Sequence, residues 1–217
     1  MRFSSDELVF ITSISKCSAP FGVFFDKISE ANAKERASAA KQELIKKEFL
    51  TEDNITSKGL VFIKMWEDYC NADKYMVINN NIIGILSDRR CVIIFRDKDG
   101  FEIASGDSAE ILYASLKEYD CLRRADEAIA EADSVSTNID YDAFRSHANS
   151  LGGKNLRIGI FPSNRRPGEE RFFYWDDKKI YSYNPHTHEE IVIQPSGVRK
   201  FIMEGLDIGK EDLADVV

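Results

Sequence analysis

The densest run of potential ligands in the chain is His186-Thr187-His188-Glu189-Glu190. Two histidines one residue apart would project from the same face of a strand, a workable bite for a zinc-type cation. They follow Asn184-Pro185, however, which marks a hairpin turn, and no Cys or carboxylate motif completes a ligand set. The expected role is a polar turn, with no metal bound. Gly152-Gly153-Lys154 is only superficially similar to a phosphate loop. Walker spacing is absent and a strand follows where a helix is needed, so the glycines read as a helix terminus. His147 is the sole remaining histidine, which leaves few parts for a Cys–His or Ser–His nucleophile. Asp176-Asp177 falls at an expected tight turn, where acids serve as turn formers. The chain is therefore expected not to be an enzyme and to need no cofactor.

The elements that would position these residues follow from local signals. Ser4 with Glu7 forms a capping-box pattern, and Leu8, Ile11 and Ile14 continue an amphipathic helix that Pro20 and Gly22 break. A longer helix is expected from Ser29 to Glu48, with Ala33, Ala37, Ala40 and Leu44 on one shallow face. A third, Ser57 to Asn71, presents Phe62, Trp66 and Tyr69 on one stripe with Val61 and Met65 beside it. Strands follow at Tyr75–Ile78, Ile82–Leu86, Cys91–Phe95 and Phe101–Ala104, the last two joined by the turn Asp97-Lys98-Asp99-Gly100. Asp107 and Glu110 cap a helix carrying Ile111, Leu112, Leu116 and Tyr119. Leu122 to Ser136 reads as an exposed helical continuation fading into a linker.

The second half repeats that pattern. After a helix at Asp140 to Ser150 come strands at Leu156–Phe161, Arg171–Trp175, Lys179–Tyr183 and Glu190–Ile193. A closing helix from Ser196 carries Val198, Phe201, Ile202 and Leu206, and the tail from Asp207 is acidic and loose. Residues 74–120 and 155–206 thus share a strands-then-helix layout, though few residues are identical. Each such sheet needs its helix to bury one face. The expected fold is α+β: two quasi-symmetric lobes, each a mostly antiparallel β-sheet with flanking helices. The lobes are expected at 1–133 and 134–217, together forming one compact unit.

Composition narrows the partners. With 217 residues and 43% hydrophobic content the chain can bury a sizeable core. Its 37 acids against 29 lysines and arginines give a formal charge of −8. An acidic surface gains no counterion-release energy, so neither nucleic acid nor an anionic membrane is an expected partner. Cys17, Cys70, Cys91 and Cys121 are widely spaced and read as buried thiols, not a disulfide framework. The N-terminal Met1-Arg2-Phe3-Ser4-Ser5-Asp6-Glu7 is unlike a signal peptide, and no apolar run reaches membrane-spanning length. A soluble, cytoplasmic protein without membrane insertion is expected.

The segment Arg171-Phe172-Phe173-Tyr174-Trp175 departs from ordinary strand alternation. Phe172 and Tyr174 face one way, Phe173 and Trp175 the other, and the next strand adds Ile180, Tyr181 and Tyr183. Ile82-Ile83-Gly84-Ile85-Leu86 is likewise apolar on both faces. Either both faces are covered from within, or one is a surface for a partner. On the second alternative the partner-binding residues are Phe173, Trp175, Tyr181, Ile82, Ile83 and Ile85.

The N-terminal third also has the helical layout of winged-helix proteins. That gives an alternative function, a transcriptional regulator with a C-terminal sensor lobe, but the helix with Glu30, Lys34, Glu35, Arg36, Lys41, Gln42 and Lys46 is mixed in charge. The element order as a whole resembles the EspG-type chaperones of type VII (ESX-like) secretion. The resemblance rests on the helix at Ser5-Asp6-Glu7-Leu8, the pair Pro20-Phe21, and the helix end Leu44-Ile45-Lys46-Lys47-Glu48-Phe49-Leu50. The Ile, Asn and Lys usage is that of a Firmicutes-like relative. The resemblance implies a cytoplasmic, non-enzymatic adaptor that keeps a secreted helical client soluble before export. It leaves open whether the adaptor forms a homodimer.

Overall fold

Local hydrogen bonds fix where most elements begin. In a computed structural model the chain runs β1 (Arg2–Phe3), α1 (Ser5–Ile14), α2 (Glu30–Lys46), α3 (Ser57–Cys70), β2 (Lys74–Ile78), β3 (Asn81–Ile85), β4 (Arg90–Asp97), β5 (Gly100–Asp107) and α4 (Ser108–Glu118). A 3-10 turn, Asp120–Arg123, leads on to β6 (Thr137–Asn138), α5 (Tyr141–Ser150), β7 (Asn155–Pro162), β8 (Glu169–Trp175), β9 (Ile180–Asn184), β10 (Glu189–Ile193) and α6 (Pro195–Leu206). The structure describes residues 1–17, 20–23, 30–129, 135–152, 154–163 and 168–209. The expected helix start at Ser29, Gly153, the linker centre at 130–134 and the tail from 210 lie outside them. Both capping boxes form: Ser4 and Glu7 bond reciprocally at α1, as do Asp107 and Glu110 at α4. The class is α+β, and two strands-then-helix runs, β2–β5 with α4 and β7–β10 with α6, are present.

The chain divides into two compact units, Met1–Asp73 with Asn80–Ser105, and Lys74–Asn79 with Gly106–Val217. This division differs from a break after residue 133. Strand β2 goes with the second unit because it pairs along its whole length with β7, Lys74 opposite Pro162 through Ile78 opposite Ile158.

In the first unit the strands lie in the order β1-β5-β4-β3. The short β1 was not expected from the sequence. It is held by its antiparallel pairing with β5 and by Phe3, whose ring packs 4.4 Å from Phe62 and 5.4 Å from Phe49. Helix α3 lies close over β3: a Cβ on Gly84 would come within 2.9 Å of the Tyr69 ring and 3.1 Å of the Ala72 methyl. That approach is why glycine sits in this strand. Glu7, almost fully buried, pairs with Lys47 at 2.5 Å, and the same ammonium donates to the Arg2 carbonyl at 2.8 Å.

In the second unit the order is β2-β7-β8-β9-β10-β6. Helix α6 covers one sheet face, Gly205 close to the Met76 thioether and Phe201 5.8 Å from Phe173, ring centre to ring centre. Helix α5 covers the opposite face through Phe144, which stacks on Tyr183 at 4.4 Å and meets Tyr174 edge-on. Among the described residues, the expected helical continuation after α4 is absent from 124–129. The chain turns at Asp120–Arg123, burying Cys121 and Leu122, and Arg199 donates to the carbonyls of Leu122 and Arg124 at 2.8 and 3.1 Å. Asp126 and Glu127 then bond Ser196 and Gln194, so 124–129 is anchored and non-helical. Charge composition suggested a solvated helix, but the buried Cys121 and Leu122 and the Arg199 bonds decide the path.

Candidate functional site

Three arrangements on the molecule could carry function. The first is the aromatic hairpin that the sequence singled out. Phe173 and Trp175 are 1% and 3% exposed, and Ile82, Ile83 and Ile85 are also buried. Trp175 meets Tyr119 edge-on and donates its indole N–H to Asp120 at 2.9 Å. Tyr181 is half-buried and stacks on Tyr174 at 5.2 Å. The register splits the group further: Phe173 and Trp175 face one way and Tyr181 the other, as Ile82 does relative to Ile83 and Ile85. These residues therefore do not form a partner surface. Both faces of β8 are covered from within, by α5 on one side and by α6 and the 3-10 turn on the other.

The second arrangement lies under α5. Tyr174 Oη is 3.1 Å from His147 Nδ1, and Glu190 Oε2 is 3.3 Å from the same nitrogen. His147 also meets the Tyr181 ring edge-on at 4.8 Å. The imidazole thus gives a buried phenol and a nearly buried carboxylate a shared hydrogen-bond partner, which a polar group inside a core requires. Its histidine seats α5 on the sheet. His188 does a similar job in the β9–β10 turn, where its backbone is left-handed at φ 61° and its Nδ1 lies 2.9 Å from Tyr183 Oη. His186 is exposed beside it. Among the described residues no three His, Cys, Asp or Glu side chains gather closely enough to hold a metal.

The third arrangement was not foreseen. On the first unit, Phe10 and Ile14 of α1, Lys41 of α2 and residues 50–55 line an open groove of about 390 Å³. Its far wall is a tight turn. Leu50 and Ile55 bridge each other, Thr51 and Asn54 exchange bonds, and Lys41 donates to the Glu52 carbonyl at 2.6 Å. Thr56 locks the exit by donating to the Glu48 and Phe49 carbonyls while accepting from the Gly59 N–H. The wall is preformed, and it holds Ile55 outward. Ile14 is 40% exposed and Ile55 37%, and Leu60 and Val61 on the next turn of chain are 56% and 73% exposed. Lys41, Glu52 and Asp53 make a mixed, mainly acidic rim. An apolar floor with a charged rim can take one face of an amphipathic helix.

A family model described as Domain of unknown function (DUF5081) matches residues 1–210. The chain belongs to that family. No curated protein matches it. The groove, the first unit and the second unit as far as residue 210 therefore lie within the family's extent, and the assignment carries no activity with it.

The cysteines separate into two kinds. Cys91 and Cys121 are buried free thiols, as expected, and burial pushes Cys121 up to about 11. Cys17 and Cys70 are instead joined as a disulfide, with Cα atoms 5.6 Å apart across 53 residues of sequence. Wide spacing concealed a pairing that only the packing of α1 against α3 creates. One sequence signal could have found the exposed apolar side chains of α3, which follow the groove's Ile55 in the chain but do not line it. Leu60, Val61, Phe62, Ile63, Met65 and Trp66 give α3 more apolar residues than one buried stripe holds. Val61, expected beside that stripe, faces outward.

Proposed function

We propose that this protein is a non-enzymatic cytoplasmic adaptor that keeps a helical, export-destined client soluble, as the EspG-type chaperones it resembles would. The observation that carries the reading is the α1–α2 groove, where Ile14 and Ile55 stand exposed on a preformed frame. A client's apolar helix face would cover those side chains, and basic residues beside it would meet Glu52 and Asp53. The regulator alternative gains less support. Arg36, Lys41, Lys46 and Lys47 are bound to Asp6, Glu52, Glu43 and Glu7 of the chain itself, which leaves α2 few cations to offer a phosphate backbone. The helix at 30–46 is thus better suited to forming a groove wall than to reading DNA.

The test is capture from native cytosol with the tagged chain and with an Ile14→Glu, Ile55→Glu variant. The expected result is a small helical protein recovered at near-equal stoichiometry by the parent and lost by the variant, with thermal unfolding little changed. Equal recovery by both, or an eluate holding only salt-eluted DNA, would sink the proposal.

A further inference from the structure

The wall of the groove formed by α1 is fastened to α3 at one end. Trp66 donates its indole N–H to Thr12 Oγ1 at 3.1 Å, the Lys16 backbone N–H donates to Glu67 at 3.0 Å, and Cys17 is bonded to Cys70. The disulfide follows Ile14 by three residues, so it fixes the end of the helix that exposes the groove's apolar side chain. Cys70 is only half-buried, unlike Cys91 and Cys121, and a small thiol can reach that edge. The other two fasteners are single hydrogen bonds, each of modest net strength.

We propose that Cys17–Cys70 is a reversible redox latch on α1: closed, it holds the groove in its client-binding shape, and reduced, it releases the C-terminal end of α1. This rests on the adaptor reading for its consequence but not for its mechanism. Closure needs a low-molecular-weight disulfide such as glutathione disulfide. One cysteine thiolate attacks a sulfur of that oxidant, forming a mixed disulfide and expelling one glutathione thiolate. The second cysteine thiolate then attacks the protein sulfur of the mixed disulfide, forming the Cys17–Cys70 bond and expelling the second glutathione thiolate. Two electrons pass to glutathione, and the two protons lost by the cysteines are taken up by the departing thiolates. In reducing cytosol such bonds are usually transient and sensing, not structural.

The test uses the full chain equilibrated at graded ratios of glutathione to glutathione disulfide. Thiols are alkylated after an acid quench and denaturation, so that the buried Cys91 and Cys121 also react, and are counted by mass. Amide exchange is followed in 5–17 and, as an internal control, in 155–160. Two alkylatable thiols are expected at oxidising ratios and four at reducing ones. Exchange in α1 is expected to be at least about tenfold faster in the reduced protein, with 155–160 unchanged. Cys17→Ser, Cys70→Ser should show the reduced protein's α1 exchange at every ratio, with two thiols throughout. Four free thiols at every ratio, equal α1 exchange in both states, or loss of protection at 155–160 on reduction would each overturn the latch, the last by showing a structural staple. Client capture distinguishes the two proposals. Capture that weakens on reduction supports both, capture indifferent to the bond overturns the coupling to the groove, and capture in neither state removes the adaptor reading while α1 exchange still decides the latch.

Discussion

The β8–β9 hairpin of the second unit and the α1–α2 groove of the first are both rich in apolar side chains, yet only one of them faces outward. In the hairpin, Phe172 to Trp175 carry aromatics on both faces, and helices supply a cover for each: Phe144 from α5, Phe201 from α6. In the groove no such cover is present among the described residues, and Ile14 and Ile55 sit on a frame built from backbone bonds. The difference teaches that aromatic density marks where a core will form, whereas a modest excess of aliphatic residues on a helix marks what the core could not absorb. Exposed contiguous apolar side chains are the informative observation, because burial of large apolar ones is the ordinary outcome.

The sharpest way to break this comparison is to remove the hairpin's rings. Phe173→Ala and Trp175→Ala should each cost about 3–5 kcal/mol. Together they should consume most of a typical stability of about 5–15 kcal/mol. Urea unfolding followed by circular dichroism reads this directly. A double variant that still unfolds cooperatively near the parent midpoint would mean that the hairpin is a surface after all.

A second variant probes how the first unit is pinned behind its groove. Lys47→Met leaves the Glu7 carboxylate buried without its ammonium and should cost about 3 kcal/mol. Glu7→Gln with Lys47→Met should recover part of it, a coupling that a double-mutant cycle measures. Additive losses would show that the pair is a bystander.

Acid should separate the two regions. Burial would raise Asp120, but hydrogen bonds from Arg124 and Trp175, with the charge of Lys154, hold it below the usual aspartate range. Asp176 is similar: burial opposes, and the Lys179 and Lys178 backbone N–H groups outweigh it. Groups with depressed folded values contribute stability that is fully present above the ordinary carboxylate range and is lost as pH falls through the folded value. The loss should therefore begin below pH about 4 and should start in the second unit, because the lowered carboxylates of the first unit, Glu43 and Glu102, are exposed and screened by solvent. The chain has two tryptophans, Trp66 in the first unit and Trp175 in the second, so Trp66→Phe and Trp175→Phe isolate one reporter each. Trp175 emission should change at higher pH than Trp66 emission, and the reverse order would contradict the assignment.

The smallest expected effect is on the exposed side. Leu60→Ser with Val61→Thr should change stability by no more than about 0.5 kcal/mol per site, since neither fills the core. A loss above about 2 kcal/mol in thermal unfolding would place these residues inside something.

What the sequence by itself determined were the features decided within a few residues. Ser4 with Glu7 and Asp107 with Glu110 set helix starts, the turn before Gly100 joined β4 to β5, and the histidine-bearing Asn184–His188 segment is the turn expected there. Each depends on hydrogen bonds between near neighbours, so spacing alone specifies it. The α+β class followed from those elements. Tertiary structure alone decided the pairing of β2 with β7, the bond between Cys17 and Cys70, the turn at Asp120–Arg123, and which apolar residues were covered. Those outcomes depend on segments 50 or more residues apart meeting at one place. Periodicity tells which face of an element is apolar, and only packing tells whether another element arrives to bury it.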